Sequence, residues 1–470
     1  MDALGKRAQG ALLALAVGLG CSFGAAQIRA QDSSAAASHA ASKSASNAEF
    51  LAAADEVLEQ MSEITGLKLI TPLNKSLRSR EEIRAYVIKQ MNEEKNPAER
   101  YADARTAEAF GLLPRGFDLD TFMVNVLTEQ VEGLYDPKAQ EFYIADWSPP
   151  GDQRMVMAHE LTHALVDQHF HIEAWSRAAR PNEDAEIARD AVLEGSAMAA
   201  MVDYLLQGTG KSVNDMPEFD PSLLTGDIGD TPSMKKAPPF IKDALVFPYF
   251  AGMKFTAASL KPNGWPALDK IFQNPPVSTQ QILHPALYKS GHVPEKVALP
   301  DVQSRLGKDW KKLDDNLMGE FGWKEVLKQY LGEDRAAPLA AAWDGDRYLV
   351  YENQSSQRLL LLARVHLTSA EHANRFFGQY SELLEKKHEK RTGLFRRPNF
   401  FSFETPDGGV FLRCSGNECI MLEGGERSLF AELNKQLSFG ALPEPDPRPG
   451  TTATKTAGNV PRPVSIVGLR

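Results

Sequence analysis

The sequence predicts an α+β protein: a helix-rich body carrying a small sheet, then a smaller C-terminal α+β domain. Three observations lead there. Helical stretches dominate from Ala48 to Phe272, beginning with Phe50, Leu51, Ala54, Val57, Leu58 and Met61 at helical spacing. One pair of β-prone segments, within Val131 to Asp146, interrupts them. The last third changes character, with RYLVYEN and RLLLLARVHLT reading as strands. At 470 residues, 43% hydrophobic and 24% charged, the chain is long enough for two or three domains with cores of their own.

The first segment reads as an export signal. Lys6 and Arg7 precede the apolar run Ala11 to Leu19, which is too short to span a bilayer comfortably, and Gly24-Ala25-Ala26 offers a cleavage site. Residues 1–26 are therefore expected to be removed and the protein to be secreted or periplasmic. An uncleaved anchor and a lipidated Cys21 are the alternatives, although Gly18-Leu19-Gly20 makes a poor lipobox. No later segment predicts stable membrane insertion.

Residues 27–47, rich in Ser and Ala, read as a flexible linker, and the helix-rich body as 48–330. Within it a charged helical stretch runs from Arg80 to Glu108. A hairpin turns at Asp136-Pro137-Lys138-Ala139. Helices follow over Gln153–His169, capped by Asp152, and over Ala185–Leu206. Gly208 to Pro239 reads as a surface excursion, and helices resume from Phe240 to Phe272. A β-β-α-β-β-α order marks a separate domain at 337–439. Residues 440–470, rich in Pro, Gly and Thr, read as a disordered tail.

The net charge of −10 leaves no electrostatic footprint for nucleic acid. Three cysteines are too few for a disulfide scaffold or a four-cysteine metal site. Cys414 and Cys419 flank Ser-Gly-Asn in what reads as a hairpin, where two facing Cβ atoms come close enough to bridge in an oxidising compartment. Metal chemistry, if present, rests on histidines and carboxylates.

His159-Glu160-Leu161-Thr162-His163 supplies it. Residues four apart lie one turn above each other, so both imidazoles point to one side and can bind one Zn²⁺. Glu160 stands beside the first ligand, where a general base would reach a water at the metal. A third protein ligand is needed, and two residues compete. His169 lies six residues beyond His163, a spacing that resembles the extended H-E-x-x-H-x-x-G-x-x-H pattern of the metzincins, but Val166 stands where that pattern has the glycine that turns the chain back. A continuing helix rotates His169 by about 600°, off the face of His163. Glu194, flanked by Val192, Leu193 and Ala197 on the next helix, is costly to bury unless it pairs or binds metal. A salt bridge to Arg189 or a surface position is the competing reading.

HELTHALVDQHF followed by a Glu-Gly-x-Ala helix resembles the gluzincin metallopeptidases, the superfamily of thermolysin and aminopeptidase N. The resemblance covers about Asn125 to Met201. It extends less specifically to LVFPYFAGMKF and PPVSTQQILHP, which look like segments of poorly characterised bacterial exported proteins of that type. It implies a zincin-like body, Zn²⁺ on His159, His163 and Glu194, and a strand before the metal helix, Val131 to Asp146, bordering the cleft and pairing with substrate backbone. It also implies an oxyanion donor downstream. Tyr249 has the corresponding place in the chain, with a core aromatic as its alternative. His284 is the second candidate, with a turn histidine as its alternative. Met198 departs from thermolysin, which has an acid there, so Asp167 or Asp190 would have to support a histidine ligand. The expected function is hydrolysis of peptide or protein substrates. The alternative is a catalytically inactive zinc- or peptide-binding protein on the same scaffold.

Overall fold

The computed structural model describes residues 36–148, 150–215 and 231–443. The export segment, part of the surface excursion and nearly all of the C-terminal tail lie outside the described residues. Within them the chain is α+β, with a small sheet and a larger C-terminal one. No helix among the described residues is long and apolar enough to cross a membrane.

The helical body starts with α1 (Ala36–Thr65). Its first turns take in part of the Ser/Ala stretch expected to be a linker. Alanine has the highest helix propensity, so this composition extends a helix as readily as it frays one. Strand β1 (Asn74–Arg78) follows, then α2 (Arg80–Glu94) and α3 (Pro97–Phe110). A charged helical stretch from Arg80 to Glu108 was expected here, with no break within it. Asn96 divides it: its side chain accepts from the Ala98 and Glu99 amides, Glu99 reaches back to the Asn96 amide, and Pro97 starts the new helix.

After α4 (Leu119–Gln130) comes the expected hairpin, β2 (Gly133–Asp136) and β3 (Glu141–Ala145). Asp136 sets its turn by accepting from the Lys138 and Ala139 amides. β1 joins β3 in parallel, giving the order β1-β3-β2 with β2 at an edge. α5 (Pro150–Phe170), α6 (Ile172–Arg177), α7 (Glu183–Leu205) and α8 (Pro239–Leu260) complete the centre of the body. The short α9 (Thr279–Leu283) packs beside them.

The C-terminal sheet has seven strands in the order β4-β5-β6-β10-β9-β8-β7. They are β4 (Trp310–Asn316), then, after α10 (Gly319–Leu331), β5 (Trp343–Asn353) and β6 (Leu359–Leu367). α11 (Ala370–Lys387) leads to β7 (Thr392–Arg397), β8 (Phe400–Thr405), β9 (Gly408–Ser415) and β10 (Glu418–Gly425), and α12 (Arg427–Gln436) closes the unit. The sheet thus begins earlier than expected, at Trp310, and β7 and β8 were not anticipated. β7 is an exposed edge strand with little apolar alternation, which explains its weak sequence signal. Cys414 and Cys419 face each other across β9 and β10 and form a disulfide.

The expected separate domain shares a core with the body. Tyr348, Val350, Phe401 and Met421 on the inner face of the sheet belong to the same apolar cluster as Phe50, Leu161 and Phe110. Phe110 of α3 meets Tyr348 of β5 edge to face, with ring centroids 5.2 Å apart. A second cluster, with Tyr351, Phe411 and Phe430, fills the opposite face under α12.

Candidate metal centre

α5 carries His159 and His163 through the core. Met157, Ala158, Leu161 and Ala164 around them are fully buried, so the histidine face is held rigidly. α7 crosses beside it and presents Glu194. Glycine makes the next approach possible: a Cβ on Gly195 would lie 2.0 Å from the Gly252 carbonyl carbon, and one on Gly252 would lie 1.9 Å from the Ala191 oxygen. α7 and α8 therefore touch backbone to backbone just past Glu194. That contact draws in Tyr249, which stands one turn before Gly252.

The two imidazoles and the carboxylate converge. His159 Nε2 lies 3.1 Å from Glu194 Oε2 and 3.2 Å from His163 Nε2, and His163 Nε2 lies 3.4 Å from Glu194 Oε2. All three residues are buried, and this is the metal-competent cluster found among the described residues. Tetrahedral ligands about 2.0–2.1 Å from a small divalent cation stand about 3.3 Å apart, so the triangle has the size such an ion requires. Glu194 Oε1 and Glu160 Oε1 are buried without a protein partner, as expected where a ligand is to be accommodated. The donor set, two imidazoles and a carboxylate, suits zinc without selecting it uniquely.

The charges are strongly coupled. Burial pushes the Glu194 carboxyl upward, but the His163 and His159 imidazoles outweigh it and hold its pKa at about 2. Burial works against protonation of His163, yet the neighbouring Glu194 raises its pKa. Glu160 is shifted up chiefly by its own burial.

The edge strand orients Glu160. The Tyr135 amide donates to Glu160 Oε2 at 2.9 Å, leaving Oε1 turned elsewhere. Gly133 permits the approach, since a Cβ there would lie 2.3 Å from Val156 Cγ1. β2 thus lies against α5 at the turn that carries Glu160. Sequence reasoning placed the hairpin at the cleft but not this contact, because a backbone amide has no signature in the sequence.

Among the other predicted residues, Tyr249 joins the centre: it is buried, with its ring stacked on His159 at 5.9 Å between centroids. His284 does not join it. Its Nε2 donates to Glu320 at 2.8 Å, and it lies outside both the cluster and the cleft lining. His169, the rival third ligand, donates to the Lys68 carbonyl at 2.8 Å, away from the centre, as the helical rotation required. Asp167 accepts from Tyr135 Oη at 2.7 Å and from the Ile172 amide, and Asp190 accepts from Ser176 Oγ. Both carboxylates expected to support a histidine are therefore engaged elsewhere, and Met198 is packed in the core.

An open cleft leads to Glu160 and His163. Tyr86, Gln90 and Tyr135 form one side, and Glu186, Asp190 and Leu193 of α7 the other. The acids of α7 had a readable signal, since Glu186, Asp190 and Glu194 recur at every fourth position, but the sequence reading followed only the last as a ligand.

Comparison with known proteins adds one match: a family described as a domain of unknown function (DUF8575) matches residues 305–433, the C-terminal sheet and its helices. No curated protein and no solved structure matches the chain.

Proposed function

We propose that this protein is an exported, zinc-dependent peptidase of the gluzincin type. The observation that carries the proposal is the convergence of His159, His163 and Glu194 within 3.4 Å of one another, with the unpartnered Glu160 Oε1 beside them. Those three side chains would hold the cation, which when bound supplies Lewis acidity to a carbonyl and to water. Glu160 takes a proton from the attacking water on its free oxygen, while the Tyr135 amide holds the other oxygen still. The same proton then passes to the amide nitrogen as the C–N bond breaks, so that a carboxylic acid and an amine leave. Tyr249, stacked on His159, is the donor we assign to the oxyanion, because His284 is committed to Glu320.

A second reading, a metal- or peptide-binding protein without turnover, is favoured by one observation: Asp167 and Asp190, the carboxylates expected to support a histidine, accept from Tyr135, Ile172 and Ser176 instead. Metal analysis combined with casein cleavage separates the two. Wild type is expected to hold stoichiometric zinc and to cleave. Glu160→Gln should keep the zinc and lose turnover, because an amide cannot accept the proton, and His163→Ala should lose both. A zinc-loaded wild type that cleaves nothing would favour the binding protein. A Glu160→Gln variant close to wild type would remove Glu160 as the base.

A further inference from the structure

The cleft beside the metal centre is unequally charged. Six carboxylates line it, Glu160 among them, against two basic side chains, Lys138 and Arg177. Both bases already have partners: Arg177 pairs with Glu94 and Glu173, and Lys138 with Glu93 and Glu173. Two of these acids, Glu186 and Asp190, stand one turn apart on α7, and burial together with the neighbouring Glu186 pushes the Asp190 carboxyl well above its ordinary value, so that a cation bound there would draw off its proton. Glu186 is fully buried; Arg180 holds its Oε1, while its Oε2 has no partner at all. One turn on, Asp190 accepts from Ser176 through Oδ1 and keeps partial exposure to the cleft. At 1.5 Å per residue, Asp190 lies about 6 Å and Glu186 about 12 Å along the helix from the ligand Glu194.

A buried carboxylate oxygen with no donor is costly unless something supplies one. A cation entering from the cleft meets Asp190 first and has the empty Glu186 oxygen behind it. An apolar ligand would leave both unmatched. A small metal cation is a poorer fit, because Arg180 already neutralises part of Glu186 and only one oxygen remains there for coordination.

We propose that Asp190 and Glu186 form a subsite for the ammonium or guanidinium of a lysine or arginine side chain next to the scissile bond. The proposal rests on the peptidase reading for the place of the cleaved bond, but the subsite itself needs only binding. The test uses acetylated and amidated alanine heptapeptides whose central residue is either lysine or its uncharged isostere norleucine. Cleavage by the zinc-loaded wild type should favour lysine by about 10- to 100-fold in kcat/KM, the usual worth of hydrogen bonds to a charged group. Titration calorimetry of both peptides into zinc-loaded Glu160→Gln should show the same preference in Kd. Asp190→Asn and Glu186→Gln should each move both ratios towards one.

The outcomes separate the two readings. A preference for lysine in binding without cleavage of either peptide by wild type would retain the subsite and overturn the peptidase. Cleavage of both peptides at equal kcat/KM would retain the peptidase and overturn the subsite. That comparison is made in the unaltered chain, so it stands even where a variant fails to fold. A lysine preference that survives Asp190→Asn at full size would also overturn the assignment.

Discussion

Tyr249, the proposed oxyanion donor, takes its setting from its neighbours. Its phenol donates while neutral, and phenols stay protonated well above neutral pH. Its ring stacks on His159 and is thus tied to the geometry of the ligands. Removing only the hydroxyl should preserve that packing. Tyr249→Phe is therefore expected to retain zinc and to lose about 10²–10³ in kcat, the usual cost of an oxyanion donor. Parallel assays of turnover and metal content would check it. His284→Ala should cost much less turnover, because its ring is bonded to Glu320 rather than to the centre. A zinc-loaded, fully active Tyr249→Phe beside a crippled His284→Ala would reverse the assignment.

At the level of elements, the site depends on one helix crossing. Gly195 and Gly252 let α7 and α8 meet backbone to backbone, and Glu194 and Tyr249 sit beside that contact. A methyl group placed there meets main chain, which cannot rotate away as a side chain can. Gly195→Ala should therefore separate the helices and cost about 1–3 kcal/mol, the usual range for overpacking. Because the helices carry the proposed metal ligand Glu194 and the proposed oxyanion donor Tyr249, metal affinity and turnover should fall along with the thermal midpoint. Calorimetric unfolding together with zinc titration would show whether all three move. An unchanged thermal midpoint would mean that the crossing relaxes more easily than its geometry indicates.

Across the whole molecule, buried acids anchor both the helical body and the C-terminal sheet. Asp184, at the start of α7, accepts from the Thr279 amide and hydroxyl, and burial pushes its pKa up to about 7. Asp346, on β5, accepts from the Met318 and Gly319 amides and the Trp343 indole, and burial raises it to about 6. The native chain holds these protons to higher pH than the unfolded chain does. Between about pH 4 and the raised values the unfolded state therefore binds fewer protons, and stability falls as pH rises. Glu423, held at about 2 by Lys387 and His388 against its own burial, is ionised throughout that window and does not offset the trend. The thermal midpoint should accordingly be higher at pH 5.5 than at pH 8, and Asp184→Asn should flatten the slope. Scanning calorimetry across that range would reveal a flat or rising profile if the prediction is wrong.

The sequence by itself determined whatever depends on near neighbours in the chain. The histidines four apart with Glu160 between them, the Asp136 turn, the helices that became α5 and α7, and the facing cysteines are local periodicities or turn chemistries, and each was legible before any packing was known. Glu194 was legible for a related reason, since an acid among apolar neighbours on a helix must find a partner. The break at Asn96 was also local, as Asn-Pro-x-Glu is a capping signature, and it was missed only because the charge pattern continues across it. What the tertiary structure decided is long-range. Which rival ligand converges, Glu194 rather than His169, depended on how α7 crosses α5. The diversion of Asp167, Asp190 and His284 to other partners depended on residues distant in sequence. The joining of the C-terminal sheet to the body depended on both faces of the sheet being apolar, one covered by α12 and the other by the helices of the body. Backbone approaches at Gly133, Gly195 and Gly252 have no sequence signature beyond the glycine itself, because the atom they avoid belongs to a segment that only folding brings near.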